Sequence, residues 1–236
     1  MLLLLALACT SGDTGPTAET GQPSDTGDSA VQDTAVRAEL QLRFPVGEPE
    51  RIQTSFYTGV DHDPEVHGDR SALCENYLGK GFPWCYDEHH GSDFILDGGF
   101  DAMDAGSATV VAAADGVVEE TEDGNYDRCH AEISGVTCDG YPMQANYVVI
   151  RHPTGEATWY YHLMKGSVAV EVGQEVKQGD KLGMIGSSGN SSFPHVHLQL
   201  MSADDEVIDP FAGPYSQEET YWCQQNGEDE LPGLCE

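Results

Sequence analysis

Several stretches of the chain place apolar residues with the short-range alternation of β-strands. VVAAADGVVEE, NYVVIRH, ATWYYHL and HVHLQLM each carry β-branched, aromatic or alternating side chains and are bounded by Gly, Asp or Asn. GQEVKQGDKLGMIG adds two further short strands around the turn Gln178-Gly179-Asp180, and LQLRFPV, residues 40–46, marks the start of folded chain. No stretch has a helical apolar face with caps, so the pattern predicts a mainly β domain built on an antiparallel sheet. In HVHLQLM the alternation puts His195 and His197 on one face and Val196 and Leu198 on the other. An arbitrary His-x-His pair is more often a hydrogen-bonded pair than a ligand pair, so its meaning depends on what else the chain supplies.

Composition divides the chain into four segments. Residues 1–9 belong to an apolar run too short for a bilayer span of roughly 20 residues, which resembles the end of a secretion signal. Ala8 before Cys9 resembles a bacterial lipoprotein cleavage site, which implies a lipid anchor through Cys9 and no transmembrane helix in the mature chain. Residues 10–38 are rich in Thr, Ser, Gly, Asp and Pro, with DTG at Asp13, ETG at Glu19 and DTG at Asp25, and cannot bury enough apolar surface to order. They are expected to be a disordered tether. Residues 39–211 form the expected folded domain, and residues 212–236 look irregular and closed by Cys223 and Cys235.

Charge and cysteines narrow the setting. With 10 Lys+Arg against 41 Asp+Glu the formal net charge is -31, which repels phosphate backbones and excludes nucleic acid as a partner. Apart from Cys9 there are six cysteines, an even number that reads as a disulfide framework in an exported chain. Spacing suggests three local staples, Cys74 with Cys85, Cys129 with Cys138 and Cys223 with Cys235, and no C-x-x-C pair supports a zinc finger. The expected location is the cell envelope, as a lipoprotein of the outer membrane or periplasm, or the medium as a secreted protein.

DEHHGSDF supplies partners for the His-x-His pair. His89 and Asp93 are four apart, which on a straight strand leaves them roughly 13 Å apart, and Gly91 between them is expected to permit the bend that joins them. A His, Asp, His set leaves a fourth position for water, the pattern of catalytic zinc sites. H-E-x-x-H is absent, and TWYYHL offers His162, on a strand and in phase with Tyr160. His62, His67, His130 and His152 lie in polar or turn contexts, and DHDPEVHGD lacks calcium-loop spacing and reads as a solvated acidic loop.

Taken in order, His89-His90-Gly91-Ser92-Asp93, VVAAADGVV, NYVVIRH, YYHL, VKQGDKLGMIGSSGNS and HVH resemble the LytM/lysostaphin-type zinc metallopeptidases, which cut peptide bonds in bacterial peptidoglycan. The likeness runs from about Phe44 to Met201. It implies the duplicated hybrid motif fold of that family, here with disulfide-stapled loops. It implies Zn2+ held by His89, Asp93 and His197, with His195 and His162 assisting catalysis on peptidoglycan peptides. His90 becomes a bystander or a substrate-facing residue. Phe193-Pro194 stands where a smaller residue is common, and Gln199 replaces a frequent Glu, differences that bear on groove shape and remove no ligand. The alternative is a non-catalytic module that binds peptidoglycan or activates an amidase, a role associated in this family with lost ligands.

Overall fold

The computed structural model describes residues 36–54, 57–68, 71–227 and 230–235. The expected signal segment, the Cys9 anchor and residues 10–35 of the expected tether lie outside the described residues, and the last three residues of that tether, 36–38, are not disordered linker but the start of the first strand. Strand β1 (Val36–Leu42) is followed by a 3-10 turn at Pro49–Arg51 and a loop-rich stretch that reaches β2 (Ser92–Ile95). A short helix, α1 (Gly99–Asp104), precedes β3 (Thr109–Val111), β4 (Gly116–Glu122) and the hairpin of β5 (His130–Glu132) and β6 (Gly135–Thr137). The chain continues through β7 (Tyr147–Arg151), β8 (Ala157–Tyr161), β9 (Glu175–Val176), β10 (Lys181–Met184), β11 (His195–Met201), β12 (Val207–Ile208) and β13 (Glu219–Trp222).

The main sheet has the strand order β12-β11-β8-β7-β4-β9, with β2 also paired to β11. Every pairing in it is antiparallel. Its inner face is the core: Val196, Leu198 and Leu200 of β11, Tyr160 of β8 and Val148 and Ile150 of β7 are all fully buried. Burial of each such aliphatic side chain contributes about 1.5–3 kcal/mol, so the apolar positions recurring at every second residue of these strands fix which face packs the core. The two strands expected in GQEVKQGDKLGMIG are β9 and β10, but they separate at the Gly179 turn: β9 pairs with β4 and β10 with β3. The disulfides are Cys74–Cys85, Cys129–Cys138 and Cys223–Cys235.

The one α-helix among the described residues, α1, runs for six residues, lacks a side-chain cap and buries Met103 alone, in keeping with the mainly β expectation. Two expectations are corrected. Residues 212–236 are not wholly irregular, because β13 pairs in parallel with β1 and carries the fully buried Trp222. Only Thr220 and Trp222 of that strand are buried, and its partner lies at the other end of the folded chain, so local alternation is too short to show it. His152, expected in a polar turn context, is buried directly after β7. Its Nδ1 donates to the Asp115 carbonyl at 2.8 Å and its Nε2 lies 2.9 Å from Thr158 Oγ1, itself 3.0 Å from the buried Tyr160 hydroxyl.

Burial holds the His152 imidazole below its ordinary value of 6.5, despite the Asp115 carbonyl pulling the other way. The folded protein therefore keeps it neutral while the unfolded chain takes up a proton as pH falls through 6.5, and stability is lost over that interval down to the folded value. His152→Ala should lower the unfolding free energy at pH 8 by about 1–3 kcal/mol, by orphaning its buried partners. It should also flatten the decline in stability between pH 7 and pH 5, measured by urea titration.

Candidate metal centre

The antiparallel register of β2 and β11 sets Asp93 directly opposite His197. Opposed residues in such a pair share a face, and the two side chains meet with His197 Nδ1 2.8 Å from Asp93 Oδ1. His89 arrives from the turn before β2: its Nε2 lies 3.1 Å from His197 Nδ1 and 3.3 Å from Asp93 Oδ1. Its Nδ1 donates to the Gly59 carbonyl at 2.7 Å, which leaves Nε2 free to face the other two donors. Among the described residues, His89, Asp93 and His197 are the group whose donor atoms converge closely enough to hold a metal ion. All three are buried.

Gly91 serves this convergence differently from the expectation. The left-handed backbone of the turn belongs to Glu88, with φ 59. A Cβ on Gly91 would lie 2.5 Å from His197 Nε2 and 2.6 Å from the Leu198 carbonyl. Glycine is required there because the His197 ring and the Leu198 carbonyl together occupy the space that a side chain would fill.

Two further imidazoles line the same side. His195 donates through Nδ1 to the Phe193 carbonyl at 2.7 Å, and its Nε2 lies 3.3 Å from Asp93 Oδ1. His162 donates through Nδ1 to the Ser188 carbonyl at 2.7 Å, with its ring 4.6 Å from that of His195 and 5.9 Å from that of His197. It is not on a strand in phase with Tyr160. His162 sits one residue past β8 with φ 66, and this left-handed step turns its ring from the core face, where Tyr160 points, to the face of His197. The step is braced from beneath: buried Asn146 donates through Nδ2 to the Leu163 carbonyl at 3.1 Å and through its backbone N–H to Ser188 Oγ at 2.9 Å.

Burial opposes ionisation of Asp93, yet the adjoining His89 and His195 hold its carboxyl well below the usual carboxylate range. Burial, followed by repulsion from His195 and His197, keeps the His162 imidazole well below its ordinary value and therefore neutral. His90 is exposed and stands apart from the converging donors.

The remaining histidines are engaged elsewhere. His62 contacts the buried Asp209 at 2.8 Å, His67 contacts Asp63 at 3.0 Å, and His130 contacts the Arg128 carbonyl at 3.1 Å. DHDPEVHGD is more than a solvated loop. Asp61 accepts the backbone N–H groups of Asp63, Glu75 and Glu88, and its own N–H donates to the His89 carbonyl. Tyr86, whose ring stacks on His89 at 4.2 Å, and the carbonyls of Gly59, Ser188 and Phe193 escaped a reading by residue type. Carbonyl groups belong to every residue, so only their position marks them.

The profile of peptidase family M23 matches residues 88–210, more than half of the chain and the segment that holds all five residues named above. The chain belongs to peptidase family M23. The M23 chain is 33% identical over 113 residues to the peptidoglycan DD-endopeptidase ShyA of Vibrio cholerae, covering 48% of this chain and 20% of that protein. It is 34% identical over 114 residues to the glycyl-glycine endopeptidase ALE-1 of Staphylococcus capitis, covering 48% of this chain and 25% of that one. The chain thus spans a fifth to a quarter of the length of these relatives. Among solved structures it is similar to the catalytic domain of lysostaphin from Staphylococcus simulans, at 26% identity over 61% of this chain and 86% of that one with a TM-score of 0.36.

Gly91→Ala should push the His197 ring out of line with Asp93 and His89. The expected outcome is a drop of more than about tenfold in divalent-metal affinity with the β-sheet circular dichroism unchanged, measured by competition with a chromogenic chelator.

Proposed function

We propose that this M23 domain is a zinc-dependent endopeptidase that hydrolyses peptide bonds in bacterial peptidoglycan. The observation that carries the reading is the convergence of His89 Nε2, Asp93 Oδ1 and His197 Nδ1, separated pairwise by 2.8 to 3.3 Å. Tetrahedral zinc at ~2.0–2.2 Å from its ligands holds them about 3.3–3.6 Å apart. The three donors fit such an ion after opening by a few tenths of an ångström. Two imidazoles and one carboxylate also match the mixed N/O donor sets of catalytic sites, which leave a fourth position open. The chemistry supplied by zinc held there is polarisation of the scissile carbonyl and acidification of a water towards pKa ~7.

The chain's own groups handle the protons. His162, with its Nδ1 proton committed to the Ser188 carbonyl, presents a bare Nε2 as acceptor for a proton of the attacking water. His195, anchored through Nδ1 to the Phe193 carbonyl, stands beside it to steady the developing oxyanion or hand a proton to the leaving amine. The five positions are all present, which favours catalysis over a module that only binds peptidoglycan or activates an amidase. The substrate class follows from relatives named as peptidoglycan endopeptidases. Three disulfides suit an oxidising compartment, and with the apolar start of the chain they favour export to the cell envelope with a lipid anchor at Cys9 and residues 10–35 as tether. Among the described residues no helix is long and apolar enough to cross a membrane.

Elemental analysis of protein prepared without chelators should give close to one zinc per chain, and His197→Ala should abolish it. Full zinc content in that variant removes His197 from the ligand set. Incubating the zinc-loaded protein with peptidoglycans of different cross-link chemistry, and identifying released fragments by mass spectrometry, tests the activity; no release from any of them refutes it. His162→Ala should keep zinc and circular dichroism yet lose on the order of 10²–10⁴-fold in turnover. Undiminished cleavage by that variant takes His162 out of the mechanism.

A further inference from the structure

The outer face of the main sheet does not end at the metal centre. Continuing from His197 along the sheet, Tyr161 lies with its ring 5.8 Å from the His197 ring, and Trp159 lies 5.6 Å from Tyr161 with the two planes at 21°. Tyr147, on the neighbouring β7, is 5.4 Å from Tyr161 and 6.1 Å from Trp159. All three rings are half-buried. The register places Gln199, Trp159, Val149 and Glu120 in one row across β11, β8, β7 and β4. Val149 is 1% exposed although it belongs to this outer face, so the side chains around it, Trp159 opposite and Tyr147 two residues back, lie across it as a floor. The three rings sit on two adjacent strands, β8 and β7, with centroids within 6.1 Å of one another, and the row from Gln199 to Glu120 that runs through them crosses three strand spacings, roughly 14 Å.

The rim of this floor is polar and one-sided in charge. Gln199 borders it beside the metal centre, and the exposed Glu120 and Glu122 border it on β4, where the Tyr147 hydroxyl donates to Glu120 Oε2 at 3.2 Å. The nearby cation, Arg151, is engaged by Glu119 at 2.9 Å. The core does not account for the three rings, since Tyr160, Val148 and Ile150 pack it from the opposite face. Aromatic rings left half-open in a row beside a reaction centre are a surface for a flat, partly apolar ligand.

We propose that Tyr147, Trp159 and Tyr161 form a saccharide subsite, which seats the sugar strand of peptidoglycan while the attached peptide enters the metal centre. The proposal rests on the peptidoglycan reading above. A pyranose offers a C–H-rich face to lie on the rings and, around its edge, hydroxyl and amide N–H donors for the carboxylates of Glu120 and Glu122 and the amide of Gln199. N-acetylated sugars carry no charge, whereas a peptide carboxylate would meet Glu120 and Glu122 as like charges. One sugar unit matches the reach of the rings, whose centroids lie within 6.1 Å of one another.

The test has a binding arm and a cleavage arm. In the first, the metal-free full chain is titrated calorimetrically with an N-acetylglucosamine tetramer. Saturable binding is expected, weakened about tenfold or more in Trp159→Leu, which still covers Val149 but has no ring, and partly restored in Trp159→Phe. No binding by the parent chain, or equal binding by Trp159→Leu, overturns the subsite whether or not the protein cleaves anything. In the second arm, zinc-loaded protein is given a cross-linked stem-peptide dimer with and without its disaccharides. Trp159→Leu should lose kcat/KM on the sugar-bearing dimer only. An equal loss on both dimers means that the rings read the peptide or its ammonium groups, and overturns the proposal. Should neither dimer be cleaved, the endopeptidase reading fails and the calorimetric arm decides the subsite alone.

Discussion

The pairing of β2 with β11 in one register is the constraint on which the site depends. Asp93 and His197 face each other because Phe94 opposes Val196 one residue along. Phe94, Val196 and Leu198 are fully buried on the inner face. Slipping the pair by one residue would turn a donor into the core and an apolar side chain into the site. Packing on one face of two strands thus holds the chemistry on the other, with no separate scaffold for the carboxylate and the imidazole.

His89 cannot be placed by the sheet and is placed by loops. The segment 57–62 runs beside β2, with the Thr58 carbonyl accepting the Asp93 N–H and the Gly59 carbonyl accepting His89 Nδ1. Asp61 gathers three backbone N–H groups from separate parts of the same region. Buried Asp87 accepts the N–H groups of His67 and Gly68, and the Cys74–Cys85 disulfide closes the loop that leads into Tyr86 and His89. Further support comes from beyond the segment that matches family M23. Trp222 of β13 and Phe44, just past β1, pack around Phe94, so the ends of the folded region brace the strand that carries Asp93.

Orientation of the imidazoles follows one device used repeatedly. His89, His162 and His195 each donate Nδ1–H to a backbone carbonyl, of Gly59, Ser188 and Phe193 respectively. Each bond fixes the ring and the tautomer together, leaving Nε2 without the proton. His197 alone turns Nδ1 towards Asp93, and its other edge passes over Gly91. The aromatic floor continues from this arrangement because the cross-strand partner of His197 is Tyr161, which carries the ring row onto β8 and β7.

Alternation by itself determined the sheet character of the chain, the inner face of β7, β8 and β11, and the shared face of His195 and His197, because a period of two is a local property of the backbone. The spacing of cysteines pointed to the three staples, and the ordered motifs pointed to the family and its five residues. Tertiary structure alone decided what depends on partners distant in sequence or on a single backbone angle. The parallel pairing of β13 with β1 joins opposite ends of the folded chain, and the left-handed φ at His162 reverses the face that alternation assigns to it. The role of Gly91 is a clearance beneath a ring more than a hundred residues away, and that of Gly59 is a carbonyl. Residue types encode side chains, whereas these contributions come from the position of the main chain, which is fixed only once the core has packed.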